Sequence, residues 1–77
     1  MLLEITALVD ARGLPSPLPV LRAKQVLGPL ESGAIVEVLA TAPSSPEDFA
    51  RWCAVTGHAI IEHTRDGLVH RLVLRRR

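Results

Sequence analysis

Tyrosine is absent, and Phe49 and Trp52 are the only aromatic side chains among 77 residues. That leaves no platform on which nucleobases would stack. A single cysteine, Cys53, rules out an internal disulfide and a multi-cysteine zinc site, and it fits a reducing compartment. Neither sign of charge dominates: nine Lys and Arg face eight Asp and Glu, for a formal net charge of +1. Such a chain has no field to gather nucleic acid or an anionic membrane. No apolar run approaches the roughly 18 residues of a membrane span. The opening Met-Leu-Leu-Glu-Ile lacks the basic region and long apolar stretch of a signal peptide. These absences predict a cytoplasmic location, with no membrane and no direct nucleic-acid partner.

What is present reads as a folded chain. Apolar residues make up 48% and charged residues 22%, a globular composition. The length allows one domain, 1–77, with a thin stability margin. Three of the six prolines fall in Asp10-Ala11-Arg12-Gly13-Leu14-Pro15-Ser16-Pro17-Leu18-Pro19, around a serine.

Taken in order, Leu3 to Val9 reads as a first strand, its alternation failing at Leu8-Val9 as in a strand buried on both sides. Asp10 to Pro15 is the following turn, with Gly13 suited to a positive φ. Ser16-Pro17 signals a helix start, serine as N-cap and proline as first helical residue, with Pro19 tolerated in the same turn. Val20, Ala23, Leu27 and Leu30 form the helix's apolar stripe, and Gly28-Pro29 ends it. Ser32-Gly33 turns the chain into a second strand, Ala34 to Thr41, rich in strand formers.

The loop Ala42 to Pro46 repeats the helix-entry device, with Ser45 as N-cap, Pro46 as first helical residue and Glu47 and Asp48 in the first turn. Ser45 and Asp48 have capping-box spacing. Phe49, Trp52, Cys53 and Thr56 face inward, and Gly57 closes the helix. His58 to Thr64 and Leu68 to Leu74 are strands joined by a tight Asp66-Gly67 turn. The order βαβαββ requires parallel pairing, and right-handed crossovers place both helices on one face. The predicted fold is α/β (α+β): a two-layer sandwich with a mixed four-stranded sheet.

Among residues that carry chemistry, Ser16 comes first. A nucleophilic serine needs a base and oxyanion donors. Free amides at the helix start would donate, but His58, His63 and His70 lie far along the chain, with no spacing that brings one near. The N-cap role alone explains the serine. A cysteine at position 16 would be different, because the helix N-terminus lowers a thiol's pKa. Cys53, mid-helix beside Trp52, reads as an inert core filler. His58 and His63 are an odd number of residues apart and point to opposite faces of a strand, so no metal site is expected. Arg12, Arg22 and Lys24 flank the corner as solvated charges or contacts for an acidic partner. Arg75 to Arg77 read as a solvated chain end.

The run Asp10-x-x-Gly13-Leu14-x-Ser16-Pro17-x-Pro19 resembles the D-x-x-G-L-x-C-P-x-P signature of the TusA/SirA/YedF family of small sulfur-carrier proteins. Val20-Leu21-x-Ala23-Lys24, Thr41-x-Pro43, Trp52-Cys53 and Gly57-His58 resemble further segments of that family, in order and at its spacing. The resemblance implies the same sandwich and a persulfide relay. In that relay the motif cysteine takes sulfur from a cysteine desulfurase or rhodanese and passes it to an acceptor protein, with no cofactor. The pathways implied are tRNA thiolation, molybdenum-cofactor synthesis and sulfur oxidation.

Two positions depart from the pattern. Ala42 replaces the acid of the T-D-P turn, and Ser16 replaces the sulfur-carrying cysteine, so this chain as written is expected to be inactive as a carrier. Three readings of Ser16 stay open: a serine substituted for a natural cysteine, a native serine in a docking or regulatory relative, or a serine-based enzyme on the same fold, for which no base is in evidence.

Overall fold

The computed structural model describes residues 4–77. Six elements follow in the order β1 (Ile5–Ala11), α1 (Leu18–Leu27), β2 (Ile35–Ala40), α2 (Ser45–Thr56), β3 (Ala59–Asp66) and β4 (Val69–Arg75). The sheet order is β1-β2-β4-β3. β1 and β2 pair in parallel, while β4 runs antiparallel to both β2 and β3. Both helices pack on one face of this mixed sheet, and also on each other. The predicted two-layer sandwich is the observed fold.

Its core follows the strand period of two. Val9 and Ala11 of β1, Val36, Val38 and Ala40 of β2, and Leu72 and Leu74 of β4 are buried against Ala23 and Leu27 of α1 and Phe49 and Cys53 of α2. Pro19 joins them as a buried residue of the first helical turn, in line with Ala23 and Leu27. A proline read only as a helix-start signal is thus also a core residue.

Several boundaries shift. β1 runs to Ala11, so Asp10 lies in the strand and not in a turn, while Leu3, the predicted start of the strand, falls outside the described residues. Leu8 is 56% exposed, because β1 is an edge strand whose other face is open. The β3–β4 loop is Gly67-Leu68, one residue later than predicted, with Asp66 paired to Val69. Gly67 takes a φ of 61° and, among the described residues, no non-glycine residue has a positive φ, the pattern of a II′ hairpin turn.

On the open face, Glu37 and Glu62 flank Val73 across its two neighbouring strands, and Arg71 bonds both carboxylates. These three long side chains cover Val73, which is fully buried although no helix lies over it. The terminal arginines are more than a solvated end. Arg76 donates from Nε to Leu27 O at 2.9 Å, which also accepts from the Leu30 amide, and from Nη2 to Gly28 O at 3.3 Å, tying the segment after β4 to the C-terminal end of α1. The Arg77 amide donates to His58 Nδ1. No helix among the described residues is long and apolar enough to cross a membrane.

Candidate functional site

The corner between β1 and α1 is built by three ties. The Gly13 amide donates to Thr41 Oγ1 at 2.8 Å, fixing the loop to the end of β2. Asp10 accepts a bidentate pair from Arg12, from Nε and Nη2, both at 2.9 Å. This hydrogen bonding holds the Asp10 carboxyl at about 2, well below the usual carboxylate range. Arg22 reaches back from α1 to Asp10 O at 3.3 Å. Asp10, Arg12, Gly13 and Arg22 therefore meet at one place. Lys24 is exposed further along α1, roughly 9 Å from its start at the usual rise per residue.

Ser16 is exposed at the tip, but it is not the N-cap. The helix begins at Leu18, with Pro17 in the cap position and Pro19 in its first turn. The Ser16-Pro17 peptide is cis. The free amides expected around Ser16 are not there. Pro17 and Pro19 have none, Leu18 N donates to Pro15 O, and Val20 N and Leu21 N both donate to Pro17 O. The same prolines that mark the helix start strip it of donors.

Ser16 instead donates from Oγ to Asp48 Oδ2 at 2.6 Å, across to the first turn of α2. Ser44 donates to the same oxygen at 2.8 Å. The two hydroxyls, Ser16 first, lower the pKa of Asp48. A carboxylate held ionised in this way is a weak base, and none of the three histidines bonds Ser16. The corner lacks both halves of a serine-hydrolase apparatus.

Asp48 is the site residue that the sequence reading missed as such. Its spacing from Ser45 predicts a capping-box partner, but the cap position belongs to Ser44. Ser45 lies inside the helix, 1% exposed, and its Oγ has no hydrogen-bond partner. Beside Ser16 runs a groove of about 310 Å³ between the helices, walled by Pro17, Val20, Trp52 and Val55 and edged by Asp48 and Arg51. Cys53 faces the core, and burial pushes its thiol pKa up. His58 packs on Trp52, with ring centroids 5.0 Å apart. Among the described residues no three potential metal ligands come together.

Comparison with known proteins agrees with this layout. The family model described as Sulfurtransferase TusA matches residues 7–76. The sulfur carrier protein TusA of Allochromatium vinosum is 42% identical over 59 residues, covering 77% of this chain and 78% of that protein. The sulfur carrier protein TusA of Pseudomonas aeruginosa is 32% identical over 63 residues, covering 82% and 80%. The crystal structure of a SirA-like protein from Desulfitobacterium hafniense superposes with a TM-score of 0.79 at 29% identity, covering 91% of this chain and 96% of that one. The chain belongs to the TusA sulfurtransferase family.

Proposed function

We propose that this chain docks on the proteins of a sulfur-transfer relay through the Ser16 corner, without itself carrying sulfur. In such a relay a carrier thiolate attacks the sulfane sulfur of a donor persulfide. A new S–S bond forms at the carrier and the donor leaves as a thiolate. Serine has no counterpart to this step, because its hydroxyl stays protonated at neutral pH and an oxygen holds no persulfide. Cys53 does not replace it, being buried with a raised pKa.

The observation that carries the reading is the placement of Ser16. It is exposed at the corner, held by Asp48 and next to the Pro17–Trp52 groove. A groove with apolar walls and a charged edge suits a protein partner's side chain. The partners are a persulfide donor, a cysteine desulfurase or rhodanese, and a sulfur-acceptor protein. Cytoplasmic sulfur transfer, including tRNA thiolation, is the setting this reading favours.

Two measurements test it. Ser16→Cys incubated with a cysteine desulfurase and free cysteine is expected to gain the mass of one sulfur atom at residue 16, and the unaltered chain none. A gain only on Cys53, or none at all, removes the sulfur-carrier basis. The unaltered chain is also expected to bind that desulfurase with an affinity close to that of Ser16→Cys. Binding by the variant alone sinks the docking role.

A further inference from the structure

The distal half of the β3–β4 hairpin is held by few side chains. From Ile61, where the register shifts, to Leu68, every residue is exposed. Beyond the backbone ladder, Glu62 bonds Arg71 on the open face. On the helix face the tie is between two imidazoles, His63 Nε2 and His70 Nδ1, 3.1 Å apart. The ring centroids are 5.3 Å apart, so 5.3 − 3.1 leaves 2.2 Å, about two ring radii, and the two nitrogens aim at each other. This is the geometry of one N–H···N hydrogen bond. It holds while one, and only one, of the two facing nitrogens carries a hydrogen. Two ligand nitrogens of a metal would instead converge on a third point, and no third ligand joins them among the described residues.

The pair forms one wall of a pocket of about 400 Å³ whose other side includes Thr41, Pro43 and Glu47. His70 is 8% exposed, while His63 is open to solvent. The charged groups facing His70 are His63 and Arg65 from β3 and Glu47 from α2. Burial first, then His63 and Arg65, lower the His70 pKa, against a smaller opposing effect of Glu47. A second proton would set two N–H groups head to head beside Arg65, with one carboxylate to offset them.

We propose that the His63–His70 pair is an acid-released latch: with no proton or one to spare it holds the distal hairpin to the sheet, and a second proton frees residues 62–68 and opens the pocket beside α2. The sign follows from linkage. The open state takes the proton more readily than the closed one, so opening grows as pH falls below the ordinary histidine value of 6.5. The first turn of α2 carries Glu47 toward this pocket and Asp48 toward Ser16, so that turn stands between the freed segment and the docking corner.

Amide hydrogen exchange between pH 8 and pH 5, corrected for intrinsic rates, tests the latch on the whole chain. Protection in residues 62–68 is expected to fall about tenfold for each pH unit separating the closed and open protonation steps. In His63→Gln that pH dependence is expected to shrink to the part that burial of His70 and its neighbour Arg65 supply without His63. An equal fall in the variant, or none in the unaltered chain, overturns the proposal. Ring-nitrogen NMR gives an independent reading without substitution. A coupling across the His63 Nε2–His70 Nδ1 hydrogen bond is expected at pH 8 and its loss at pH 5, and no coupling at either pH would exclude a shared proton.

Discussion

Placing a thiol at the corner by Ser16→Cys sets two nearby fields against each other, and Asp48 decides the balance. The helix N-terminus favours a thiolate through its dipole alone, since no amide is free to donate to residue 16. The Asp48 carboxylate, 2.6 Å from the present hydroxyl, opposes it. Two unit charges about 4 Å apart interact by about 1 kcal/mol in water and about 4 kcal/mol at the effective dielectric of a protein surface. The corner is exposed and Asp48 half-buried, so an intermediate of about 1.4–2.7 kcal/mol applies, or about 1–2 pKa units. In a Ser16→Cys background, Asp48→Asn is therefore expected to lower the thiol pKa by about 1–2 units. The assay is the pH dependence of iodoacetamide alkylation, read by peptide mass so that residue 16 is separated from Cys53. Cys53 is expected to react slowly throughout until denaturant is added, because it faces the core. An unchanged or raised pKa at residue 16 would refute the idea that Asp48 is the charge facing that atom.

Arg76→Gln is expected to cost about 1–2 kcal/mol by urea unfolding, because it removes charge-assisted bonds to the end of α1. In a domain of this size that lowers Tm by about 4–8 °C per kcal/mol, and a change no larger than that of Arg75→Gln would show that the contact contributes nothing. A separate acid effect comes from Asp10 and Asp48, whose pKa values are both depressed in the folded state. The stability they supply is complete above their ordinary value of 3.8 and is lost as pH falls through their folded values. Asp10→Asn is expected to flatten the fall in urea midpoint between pH 4 and pH 2, and an unchanged slope would assign acid unfolding to other groups.

The layers and the element order were legible because they depend on short-range pattern. β2 alternates strictly, with Val36, Val38 and Ala40 inward, and α2 repeats Phe49 and Cys53 at helical spacing. Boundaries were less legible where one residue served two rules. Ser16-Pro17 and Ser45-Pro46 both carry the helix-start signature, yet both helices start one residue away from the predicted register. Proline's lack of an N–H fits it for the N-cap position as well as the first turn, so the signature marks a region and not a residue. Arg76 failed as a reading for a different reason. A run of like charge at a chain end is ordinarily solvated, and only the fold shows that β4 delivers it to the carbonyls at the C-terminal end of α1.

The candidate site divides along the same line. Gly13, Pro17 and Pro19 announce a stiff corner because their backbone limits are intrinsic to the residue type. What the corner does chemically depends on Asp48, which is 32 residues from Ser16 and arrives through packing of α2 on α1. Short-range reading assigned helix amides to residue 16 and made it a donor-rich anion site. The fold reverses that sign: the amides are absent or used, and the nearest polar group is a carboxylate. A thiolate or persulfide here would be stabilised by the helix dipole and by whatever cation a docked protein brings toward Asp48. On the docking role proposed above, sulfur chemistry at this corner would depend on the bound partner, and a serine chain that keeps Asp48 and the groove would keep the surface offered to it.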